Sequence, residues 1–118
     1  MKQKRKNDPR IQIQEELLLA KQSRIEGNEG RARVCARRAA GAAVVDLLYT
    51  RGLHAEPNNI YQTLITFQNT ESLPDRVQMA LTRLIQRVDQ DHQLPPEVDL
   101  IEEAKLLINF VEKGEKGI

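Results

Sequence analysis

The chain has 118 residues, 40% hydrophobic and 30% charged, with 18 Lys/Arg against 17 Asp/Glu and a formal net charge of +1. That length and mixture fit one globular domain with a single core and exclude a disordered chain. A lone cysteine, Cys35, excludes an internal disulfide, and with His54 and His92 as the two histidines it falls short of the roughly four Cys/His ligands of a structural zinc site. No metal and no cofactor is expected. The longest apolar runs, at residues 17–20 and 42–45, are far below the roughly 20 residues of a membrane helix. Behind the basic start, Met1 to Arg10, there is no apolar stretch of signal-peptide length, so the expectation is a cytoplasmic protein with no membrane partner.

The near-zero sum hides an asymmetry. Residues 1–51 carry 12 Lys/Arg against 6 Asp/Glu, net +6, and residues 52–118 carry 6 against 11, net −5. Such a split suits either a basic face for an acidic partner or two halves that attract each other.

Residues 1–9 read as a basic flexible tail, 10–113 as a single helical-bundle domain and 114–118 as a flexible C-terminal end. Asn7 or Asp8 before Pro9 suits a helix start, since a short polar side chain caps free amides and proline is tolerated in the first turn. Ile11, Leu18 and Ile25 then fall seven apart with Leu17 and Ala20 alongside, which predicts a helix to about Arg24 with one apolar face. The segment Gly27-Asn28-Glu29-Gly30 breaks it.

Residues 31–51 are rich in alanine and uninterrupted until Gly52, which stands where a left-handed helix cap is expected. Ala32, Ala36, Ala39, Ala43 and Leu47 share one side of this helix, and Val34, Gly41, Val45 and Leu48 line much of the other. A helix apolar around most of its circumference belongs in the middle of a bundle, with Gly41 as a close-packing position.

Ile60, Leu64 and Phe67 predict a short third helix. Ser72 is the expected cap of the next, with Pro74 and Asp75 in its first turn. Val77, Ala80, Leu81, Leu84, Ile85 and Val88 then repeat at helical spacing until Pro95 and Pro96 end the segment. A last helix from about Glu97 carries Leu100, Ile101, Ala104, Leu107, Ile108 and Val111 and stops at Gly114. Nothing alternates at period two, so the fold class is all-α, an up-and-down antiparallel bundle of four to five helices.

Chemistry-bearing patterns are sparse. There is no phosphate-binding glycine loop, no paired-cysteine motif and no His-Glu-x-x-His run. Cys35 among alanines reads as a small core residue. Lys2, Lys4, Arg5 and Lys6 in the tail, with Arg31, Arg33, Arg37 and Arg38 on the second helix, are the candidate anion or nucleic-acid ligands, because guanidinium pairs bidentately with phosphate or carboxylate. The competing reading pairs those arginines with Glu26, Glu29, Asp46 or the acidic helices.

The helix order, the Ala-rich second helix after a glycine turn, and Arg87 near a helix end ahead of a closing amphipathic helix resemble the HEPN (higher eukaryotes and prokaryotes nucleotide-binding) domain family over roughly Ile11 to Val111. The resemblance implies a helical bundle that forms homodimers and is often paired with a nucleotidyltransferase-type protein in toxin–antitoxin modules. In active ribonucleases of that family an Arg and a His a few residues apart meet one RNA phosphodiester across a dimer. Carried to this chain, Arg87 would stabilise the phosphate and His92 would sit near the 2′-hydroxyl. Val88, Asp89 and Asp91 between them depart from the active pattern. The expectation is therefore a non-catalytic, self-associating HEPN-like interaction module, with a metal-independent endoribonuclease or a basic-face RNA- or DNA-binding protein as alternatives.

Overall fold

Two polar side chains start the first pair of helices. Asp8 accepts a hydrogen bond from the Arg10 amide (2.9 Å) at the head of α1 (Pro9–Ile25), and Asn28 accepts from the Arg31 amide (3.0 Å) at the head of α2 (Glu29–Thr50). The computed structural model describes residues 8–53, 59–70, 72–86 and 97–116. Within them follow α3 (Ile60–Thr70), α4 (Asp75–Ile85) and α5 (Leu100–Lys116), and no strand occurs among the described residues. The chain is an all-α bundle.

The turns obey simple backbone chemistry. Gly27 and Gly52 both lie at positive φ (83° and 75°), a region where a Cβ would clash. At the end of α2, Leu53 donates its amide to the Leu48 carbonyl (2.8 Å) across Gly52, so the glycine closes the helix as its position in the sequence predicts.

Three boundaries differ from expectation. Glycine at position 30 does not interrupt, because Asn28 caps two residues earlier and α2 begins at Glu29. Helix α4 starts at Asp75 behind Pro74, which is extended (φ −58°, ψ 152°) with no side-chain cap, rather than from Ser72; the position before a proline disfavours helical geometry, so a helix does not start ahead of Pro74. Helix α5 begins at Leu100, where Asp99 accepts from the Ile101 and Glu102 amides (3.0 and 3.4 Å), and it runs through Gly114 to Lys116. One glycine costs a helix only about 1 kcal/mol and does not by itself end it.

Helix α2 is the hub, packed against α1, α3 and α5, while α4 joins α3 to α5. Ala32, Ala36, Ala39, Ala40 and Ala43 are buried along its length, with Val44, Leu47 and Leu48 continuing toward its C-terminus. Larger side chains come from the neighbours: Leu64 and Phe67 of α3, Leu81 and Leu84 of α4, Leu100 and Leu107 of α5. Small residues on the hub face large ones on the rim, which lets the helices approach closely around one core.

Helix α1 departs from the expected pattern. Its buried residues are Ile13, Ala20 and Ser23, whereas Ile11, Leu18 and Ile25 are 56%, 56% and 84% exposed. The seven-spaced line is a second apolar face that looks away from the core.

At Gly41 the α3 chain comes so near that a Cβ would lie 2.9 Å from Ile60 Cγ2. Overpacking of about 1–3 kcal/mol outweighs the roughly 1 kcal/mol that alanine gains over glycine inside a helix. Gly41→Ala is therefore expected to lower the denaturant midpoint. Gly30→Ala, whose Cβ would meet nothing nearer than Asn28 Oδ1 at 3.9 Å, should raise it.

Candidate functional site

The arginines divide into those the bundle uses and those it leaves outside. Arg24, at the end of α1, grips Glu29 through Nε (3.0 Å) and Nη2 (2.7 Å) and reaches Asp99 with Nη1 (3.0 Å). Since Asp99 caps α5, this one guanidinium ties together an end of α1, the start of α2 and the start of α5. Hydrogen bonding to Glu29, and then to Asp99, holds Arg24 more firmly protonated than an ordinary arginine, and the Arg24 hydrogen bonds hold the Glu29 carboxyl below its usual range.

Glu103 on α5 is the second knot. It is buried, with Arg76 making a bidentate pair (2.8 and 3.1 Å) and Arg83 adding a bond at 2.7 Å. Burial pushes this carboxyl up, but the two guanidiniums more than offset that and hold it below the ordinary value.

Arg37 overturns one sequence expectation outright. Offered as a surface ligand, it is 2% exposed, and its Nε donates to the Leu84 carbonyl in the last turn of α4 (2.9 Å). A cation at a helix C-terminus satisfies a carbonyl that has no partner along its own helix. Arg33 is likewise drawn inward, its side chain 18% exposed and its Nε 3.8 Å from Glu29. Arg31 and Arg38 do stand exposed on α2, so the four candidate arginines of that helix reduce to these two.

Lys2, Lys4, Arg5 and Lys6, the pair Arg87 and His92, and the other histidine, His54, lie outside the described residues. Cys35 is buried; desolvation first, and then the neighbouring Glu16 carboxylate, push its thiol up. That environment suppresses the reactive thiolate. Among the described residues no group of three or more His, Cys, Asp or Glu could hold a metal ion, and no helix is long and apolar enough to cross a membrane.

What the fold does present is an apolar ridge on α1. Ile11, Leu18 and Ile25 follow one line along the helix, and Leu19 beside them is 37% exposed. Next to the ridge an open groove of about 370 Å³ runs between α1 and α5, lined by Leu17, Leu18 and Lys21 on one side and by Ile108, Asn109 and Glu112 on the other. Three large aliphatic side chains recur in file every two turns, about 10 Å apart, with exposed Gln14 and Gln22 between them, an apolar line of the kind that marks an interaction surface. Ile13, Leu17 and Ala20 give α1 its core-facing line, which leaves Ile11, Leu18 and Ile25 surplus to the core; helical spacing in the sequence fits both lines equally.

Comparison with protein-family models, with curated proteins and with solved structures finds no match to this chain.

The carboxylate knots set a pH dependence. Glu29 and Glu103 have folded-state values below their unfolded ones, so in acid the unfolded chain binds more protons and stability rises with pH there. Their contribution is complete above about pH 5 and fades as pH falls through the lowered folded values. Glu103→Gln should cost about 2 kcal/mol at neutral pH, and urea titrations should find its gap from wild type narrowing below about pH 4.

Proposed function

We propose that this protein is a non-catalytic interaction module, a small cytoplasmic bundle of HEPN-like kind that self-associates and acts by contact. The observation that carries this reading is the exposed Ile11, Leu18 and Ile25 ridge on a helix whose opposite face is already packed on α2. The internal use of Arg24, Arg37, Arg76 and Arg83 supports it, because those cations serve the bundle itself. A nucleotidyltransferase-type protein is the further partner that the family resemblance suggests.

Light scattering on nuclease-treated protein tests the reading. The expected mass is twice the 13.5 kDa of the chain, with an apparent stability that rises with protein concentration. A species that stays monomeric at about 100 µM removes self-association.

The exposure of Arg31 and Arg38 on α2 favours a second reading, in which the basic half grips nucleic acid. Log affinity for RNA or DNA should then fall linearly with log salt, and Arg31→Ala or Arg38→Ala should each lower the slope by about 1. Binding that ignores salt rejects it.

A further inference from the structure

The residues that border the α1 ridge are sorted by charge. At about 100° per residue, Ile11 and Ile25 lie within roughly 20° of Leu18. Glu15 and Glu26 then fall on one flank of the ridge, and Arg10 and Lys21 on the other, all at roughly 60–80° from Leu18. Glu15, Lys21 and Glu26 are exposed. Arg10 makes a long contact with Asp8 (3.5 Å) and its side chain is 80% exposed. Helix α1 therefore carries an aliphatic ridge with an acidic bank and a basic bank.

From this sorting we infer that a second copy of the chain covers the ridge with its own α1, the two helices running parallel. The inference rests on the self-association reading and adds its surface and its direction. Two copies of one helix can meet ridge to ridge in two symmetric ways. A two-fold axis along the helices sets the basic bank of each copy against the acidic bank of the other. A two-fold axis across them, which makes the helices antiparallel, sets acid on acid and base on base. Flanking charges choose between such orientations in helix pairs, and here they choose parallel.

In that arrangement Arg10 faces Glu15 of the second copy and Lys21 faces its Glu26. Each acid stands five residues further along, an axial offset of about 7.5 Å that these long side chains span, as flanking pairs do in parallel coiled coils. The groove beside the ridge lies on the basic bank, since Lys21 lines it. The parallel partner lays its acidic bank over that groove and brings its Leu19 toward the apolar floor made by Leu17 and Ile108. An antiparallel partner would instead lay groove against groove.

Cysteine cross-linking on the full chain decides the matter, because the native thiol Cys35 is buried. Equivalent positions on the ridge approach each other in the parallel pair, so Ile25→Cys alone and Ile11→Cys alone should each give a covalent dimer under mild oxidation. Cross-linking that appears only when the two variants are mixed means an antiparallel pair and overturns the inference. So does the absence of any covalent dimer; if the unmodified protein still has twice the monomer mass, self-association stands and this surface is wrong, whereas a monomer removes both. Charge reversal gives a second readout: Lys21→Glu and Glu26→Lys should each weaken dimerisation about 3–10-fold, and the double variant should recover most of that loss. Tighter association of Lys21→Glu would contradict the parallel arrangement.

Discussion

Helices α1, α3 and α5 take their positions from how near they can come to α2. Interior positions 32, 36, 39, 40 and 43 are alanine, and position 41 has no side chain at all, so the neighbouring backbones approach until their own larger side chains meet the α2 surface. At Gly41 Ile60 of α3 occupies the space a Cβ would need. A hub of small residues makes few demands on the shape of any one neighbour but leaves no slack in distance. The bulk of the core then comes from α3, α4 and α5, whose leucines and phenylalanine are the largest fully buried side chains.

Close packing of this kind is non-directional, and charge fixes what it leaves open. Arg24 links α1 to the starts of α2 and α5, and Arg37 links α2 to the end of α4. The Arg24–Asp99 and Arg37–Leu84 bonds cross from the basic half of the sequence to the acidic half, while Arg24–Glu29 stays within the basic half, so part of the charge asymmetry is consumed inside the domain. Glu103 does not follow that rule, since Arg76 and Arg83 both lie in the acidic half. Attraction between the halves thus explains the α1–α5 junction but not the α4–α5 one, where a buried carboxylate is stabilised by two arginines of its own half.

Much of this was legible in the sequence, for physical reasons that differ by element. The helices and the burial of the α2 alanines follow from periodicity, and the Gly52 cap follows from the one residue type that tolerates positive φ. The face of α1 was not legible in the same way. Two lines on that helix satisfy helical spacing, Ile11–Leu18–Ile25 and Ile13–Leu17–Ala20, and the more aliphatic of the two is the exposed one. Periodicity locates apolar stripes but does not say which stripe meets the core; here close approach to an alanine-lined hub selected the line that contains Ala20. Arg37 was misread for a related reason. A guanidinium at a buried position is acceptable when a helix end supplies an unpaired carbonyl, and that carbonyl, Leu84, lies 47 residues away in sequence.

The position of α1 at the edge of the bundle bears on how its outer face can be used. Ala20 is fully buried against the core, Ser23 and Ile13 lie on the same side, and Arg24 clamps one end by three hydrogen bonds. These contacts hold the helix before anything covers the ridge. A partner that docks there does not have to order the segment it binds, and ordering flexible groups is one of the main costs of association. Side-chain composition acts in the same direction, since Ile11, Leu18 and Ile25 lose less rotamer freedom on burial than long charged residues would. The inner face of α1 and its clamp thus give the outer face its rigidity, and the core and the contact surface are two sides of one helix.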